Sequence, residues 1–173
     1  MLDAGAETKE HYAGDLSSTM PVSNLFTSQQ AEIYNIHLES FQAAVDCLKP
    51  GVPFRDAHIA AATRIVEGMK SLGLMKGDPA EAAESGAYAL FFPCGLGHMM
   101  GLDVHDMENL GEVWVGYTGE PKSTQFGRKS LRLARPLEPG FVLTIEPGIY
   151  FIPELIDLWR SEGRFKDFIN YDK

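Results

Sequence analysis

Two histidines, His98 and His105, stand seven positions apart in the stretch Phe91–Gly111, FFPCGLGHMMGLDVHDMENLG. Gly95, Gly97 and Gly101 flank or separate them. Each glycine costs about 1 kcal/mol relative to alanine inside a helix, so the stretch reads as a loop or sheet edge whose backbone passes close to something else. Met99, Met100, Leu102 and Val104 are apolar, which sets the imidazoles beside buried surface, and Asp103 and Asp106 bracket the second histidine. A lone histidine in such a run is most simply a packed core residue; two, with aspartates and no helical period, point to a site. Three carboxylates elsewhere complete the set: Asp3 and Asp15 in a turn-rich N-terminal stretch, and Glu146 in VLTIEPGIY. Carboxylate and imidazole donors without a thiolate favour Mn, Co or Zn over a structural cysteine-rich zinc site.

The elements that must position these groups follow from local pattern. Met1–Gly5 and the strand-like Tyr12–Val22, joined by the polar turn Thr8-Lys9-Glu10, form a hairpin that draws Asp3 and Asp15 together across the ladder. Opposed like charges destabilise a sheet unless a cation sits between them. Thr27 with Gln30 three residues on is a capping-box start for a helix that Pro50-Gly51 ends, with His37 and Cys47 as packing or surface residues. A second helix runs from about Phe54 to Leu72, with His58 expected at its surface or cap, and a short third one begins at Pro79. Glu112–Ser130 reads as a long loop whose basic neighbourhood (Lys122, Arg128, Lys129, Arg132, Arg135) is either solvated or closes over a substrate. Phe141–Glu146 and Tyr150–Ile152 are expected as strands, Pro153–Trp159 as a short helix, and Phe165–Lys173 as a frayed tail.

The chain has 173 residues, which gives one domain by length, with 45% hydrophobic and 23% charged residues, ordinary for a soluble globular protein. A formal net charge of −9 argues against a nucleic-acid partner, since phosphate binding needs a basic face. No apolar run approaches a membrane span, and no basic-then-apolar leader opens the chain. Cys47 and Cys94 stand in unrelated contexts and are expected as thiols, in keeping with a cytoplasmic location.

Three motifs in order, DAGAE…GDLSSTMP, GLGHMMGLDVHD and LEPGFVLTIEPGIY, resemble the pita-bread metallopeptidases, most closely the Xaa-Pro branch of aminopeptidase P and prolidase. The likeness runs from Asp3 to about Tyr150. It implies an α+β pita-bread fold, a curved antiparallel sheet with covering helices. It also implies a dinuclear-metal peptidase that hydrolyses the Xaa-Pro bond at peptide N-termini or in dipeptides through a metal-bridging hydroxide. In the family pattern Asp3, Asp15, His98 and Glu146 are metal ligands for two divalent ions, Mn first, with Co or Zn as alternatives. Glu146 doubles as general base, and His105 contacts the substrate carbonyl or the tetrahedral intermediate. The implied partner is a peptide with proline at its second position; self-association is left open.

Departures from the pattern carry their own expectations. Cys94 stands where the family's substrate-side histidine is usual, and one extra residue separates Asp3 from Asp15. A fifth ligand, a glutamate on a closing strand, is expected beyond Glu146, and Tyr150–Lys173 does not supply it. We therefore expect residues 1–173 to be a single domain truncated at both ends and inactive alone. Two other readings compete: a non-catalytic pita-bread module that binds peptides or proteins, and a creatinase-like metal-free hydrolase. Modules of the first kind lose ligands inside the motifs, whereas these are intact.

Overall fold

A computed structural model describes residues 1–173. Two antiparallel strands, β1 (Leu2–Ala4) and β2 (Leu16–Ser18), precede five helices: α1 (Ser28–Asp46), α2 (Phe54–Ser71), α3 (Pro79–Ser85), α4 (Glu112–Tyr117) and α5 (Pro153–Ser161). The starts of the helices follow their sequence signals. Thr27 accepts from the Gln30 N–H while the Gln30 side chain accepts from the Thr27 N–H, a complete capping box. Asp78 caps α3 through the Glu81 N–H, with Pro79 in the first turn. The two long helices pack closely because Gly68 leaves room for Ile36; a Cβ at 68 would lie 2.5 Å from Ile36 Cγ2. Phe54, Ala61, Ile65, Met69, Tyr88, Phe92, Leu96 and Trp159 anchor the core between α2 and the motif stretch.

Several sequence expectations need correction. His58 is not at the surface: it is 1% exposed, its ring lying between Tyr88 and Phe92. Helix α2 is buried on more than one side, so a histidine on its flank ends inside. Glu112–Ser130 is not one open loop, since α4 forms at its start. Four of the five basic residues pair with acids: Lys122 with Glu112, Arg128 with Glu84, Arg132 with Glu108 and Arg135 with Glu138, while Lys129 is exposed and lies over the Phe126 ring. Those pairs tie parts of the segment to its neighbours. The tail is likewise fixed. Lys76 N–H donates to Phe168 O at 2.8 Å, Asn170 N–H donates to Leu74 O at 3.0 Å, and Ile169 is buried.

The expected strands Phe141–Glu146 and Tyr150–Ile152 do not form regular ladders. Leu96–Met100 and Val142–Glu146 do lie antiparallel. Met100 N–H donates to Val142 O at 3.0 Å, Thr144 N–H to His98 O at 2.9 Å and Glu146 N–H to Leu96 O at 2.7 Å. The reciprocal bond fails at His98, whose N–H goes instead to the Thr144 hydroxyl at 3.0 Å. That side chain displaces a backbone acceptor, so only an isolated bridge at Met99 and Leu143 remains.

Candidate metal centre

The paired segments bring two of the expected ligands together. His98 is buried, and its Nδ1 shares a 2.9 Å hydrogen bond with Met99 O. A carbonyl only accepts, so Nδ1 carries the proton and Nε2 keeps its lone pair. Nε2 faces Glu146 Oε1 at 3.1 Å and Asp15 Oδ2 at 3.3 Å. Asp15 reaches this point because the hairpin is tied to the motif by Ala13 N–H, which donates to Gly101 O at 2.8 Å. Thr144 Oγ1 donates to Glu146 Oε1 at 2.7 Å while accepting the His98 N–H, so one hydroxyl sets both ligands.

A lone pair pointing at two carboxylate oxygens is repulsive unless a cation lies among them. One such cation is a proton. Burial alone would lower the His98 pKa, yet the Glu146 hydrogen bond, the Met99 carbonyl and the Asp15 charge outweigh it and raise the value. Burial conversely raises Glu146, but its bonds to His98 and Thr144 bring the net value below the ordinary carboxylate range. The other cation is a divalent metal. The ligating atoms of Asp15, His98 and Glu146 all lie within 4.8 Å of one another. Adjacent ligands on an ion with bonds of about 2.1 Å stand roughly 3.0–3.4 Å apart, which matches the Nε2 contacts. Two oxygens and one imidazole suit Mn, Zn or Co. The residues present therefore fit a metal ion.

The other predicted residues are placed differently. Asp3, on β1, is exposed and lies outside this group. The register sets Asp3 opposite Ser17, so Asp15 is its diagonal neighbour on the same face and not its direct partner, which eases the expected repulsion. His105 is exposed, its ring edge-on to His98 with centroids 4.4 Å apart, and it takes no part in the three-residue group. Neither flanking aspartate orients it: Asp106 instead accepts from the Asp103 N–H at 3.2 Å. Cys94 is half-buried and reduced. Burial pushes its thiol up, opposed by a hydrogen bond with Tyr150. The Tyr150 hydroxyl is itself pushed up to about 12 by the Cys94 charge and by burial.

Sequence reasoning missed Thr144, Tyr150 and His37 at this site. Thr144 had a readable signal, since it lies two residues before Glu146 and so on the same strand face. His37 had none: its Nε2 reaches Pro147 O at 2.7 Å from 110 residues away.

Comparison with known proteins places the chain in a family. The model of metallopeptidase family M24 matches residues 1–167. The chain is 40% identical over 172 residues to the Xaa-Pro aminopeptidase of Escherichia coli, covering 98% of this chain and 34% of that protein. It is 36% identical over 159 residues to the human Xaa-Pro dipeptidase, covering 92% and 31% respectively. Among solved structures, Pseudomonas aeruginosa aminopeptidase PepP superposes with a TM-score of 0.69 at 38% identity, over 88% of this chain and 30% of that one. Zinc-substituted E. coli aminopeptidase P in complex with product gives 0.68 at 39%, over 88% and 31%. The chain thus spans about a third of the length of the relatives it matches.

Proposed function

The chain belongs to metallopeptidase family M24, and on that premise we propose that it supplies the metal-binding core of a peptidase that cleaves the bond before proline, in peptides or dipeptides. The carrying observation is the convergence of His98 Nε2 on carboxylate oxygens of Asp15 and Glu146. When bound, divalent ions supply Lewis acidity and lower the pKa of a water nucleophile. Asp15, His98 and Glu146 would hold the first ion. A second needs further donors, and Asp3, on the same hairpin face, is this chain's candidate. Glu146 is the most exposed of the three; one oxygen is tied to Thr144, and its carboxylate is the group positioned to exchange a proton with incoming water. His105, exposed beside His98, would hydrogen-bond a substrate carbonyl. The proline preference follows the relatives' activities, and manganese is the proposed ion among the Mn, Zn and Co that these donors suit. Ligands retained in every motif favour this reading over a binding module.

Calorimetric titration of the metal-stripped chain with MnCl2 tests the proposal. Binding is expected in the parent, and Glu146→Gln or His98→Ala should weaken it at least tenfold. Equal binding by the parent and both variants would move the site elsewhere and refute the assignment.

A further inference from the structure

We infer that His37, on α1, is a positioning residue for the Glu146 ligand. The inference rests on the metal-site reading above. Glu146 is held from three directions. Its N–H donates to Leu96 O at 2.7 Å, and its Oε1 accepts from Thr144 at 2.7 Å. On its C-terminal side stands Pro147, buried and without an N–H, which cannot join a ladder. The next ladder-like bond comes only at Tyr150 N–H, to Phe91 O at 2.8 Å. His37 Nε2–H donates to Pro147 O at 2.7 Å and closes that gap. The donor is itself set in place. The His37 carbonyl accepts from the buried Ser40 hydroxyl at 2.7 Å, and the ring lies 6.4 Å from Tyr34, which stacks on Phe26 at 4.8 Å. With this bond, the long helix α1 fixes the peptide that follows a metal ligand. Partners that orient ligands typically change metal affinity by about 10–100-fold when lost.

The test uses His37→Gln and His37→Leu. The amide nitrogen of glutamine lies three bonds beyond Cβ, as does Nε2 of histidine, so the first variant keeps a donor within reach and the second removes it. MnCl2 titration of the metal-stripped chains is read beside thermal midpoints without metal. Expected is a loss of about tenfold or more in Mn affinity for the leucine variant and near-parent affinity for the glutamine variant. A merely structural role would lower both midpoints and leave Mn affinity alike, and that outcome overturns the inference. Equal weakening in both variants overturns it as well. If the leucine variant does not fold, His37→Asn, one bond short, replaces it with the same expectation. Should the parent itself take up no Mn, the metal reading falls and this inference with it; parent binding with unaltered leucine-variant binding sinks the His37 role alone.

Discussion

Of the two buried histidines, burial lowers the pKa of His58, whereas the neighbours of His98 outweigh burial and raise its value. His98 stood out because glycines and apolar residues surround it and aspartates follow. His58 looked like a surface residue because nothing local says that Tyr88, thirty positions on, takes its Nε2 in a 2.8 Å hydrogen bond. Its burial has a measurable consequence. Desolvation first, and then the Arg128 charge, lower its pKa from 6.5 to about 4. The unfolded chain takes up a proton at this position below pH 6.5, whereas the folded chain resists until about pH 4. The contribution to stability is therefore complete above pH 6.5, declines as pH falls through that window, and is level below it. A separation of this size corresponds to about 3 kcal/mol. His58→Phe is expected to be less stable than the parent at pH 7, because the Tyr88 hydroxyl loses its partner, with the difference shrinking toward pH 4. Urea unfolding of both chains across pH 4–7 reads this directly, and a difference constant with pH would rule it out.

At the scale of elements, helices were legible because their caps are local. Thr27 with Gln30 and Asp78 with Glu81 complete their bonds within four residues. The sheet was not, because its ladder is decided between positions 96–100 and 142–146, where the Thr144 hydroxyl intercepts the His98 N–H. The ion pairs of the basic segment also come partly from remote acids, such as Glu84 for Arg128. Close approach of the two motif segments depends on Gly97. A Cβ there would lie 2.1 Å from Thr144 O and 2.9 Å from Thr144 Oγ1. Backbone cannot yield as a side-chain tip does, so Gly97→Ala must part the segments that carry His98 and Glu146. Overpacking of this kind costs about 1–3 kcal/mol. The variant should unfold at lower urea and also bind Mn more weakly, since both ligands shift. Parent-like values of both would show that the segments are not clamped at this point.

The whole molecule exposes more surface than its mass warrants. Its accessible surface is 10102 Å² for 19.1 kDa, whereas a compact folded monomer of that mass exposes about 8,400 Å². The excess, about 1,700 Å², is roughly twice the area that one partner buries in a standard protein–protein interface. Part of it is apolar and concentrated near the site. Leu2 and Leu16 on the hairpin, Leu102 and Val104 in the motif loop, and Val142, Tyr150 and Phe151 beyond it are all exposed. Leu16, at 79%, lies on a two-stranded sheet whose outer edges have no neighbour. Unpaired edges and apolar patches both recruit further chains, and a two-stranded ribbon is marginal in water by itself. Helix α2 has no exposed large apolar side chain, and α1 has only Leu38 and Phe41, so the helical pair and the hairpin should respond differently in solution. Residues 1–173 are therefore predicted to self-associate at micromolar concentration, to bind a hydrophobic dye, and to protect α1 and α2 amides from exchange far better than β1 and β2. Light scattering after size exclusion and hydrogen exchange measure this. A monodisperse, dye-silent monomer with uniformly protected amides would mean that the exposed faces are stable in water as they stand, and the surface argument would be wrong.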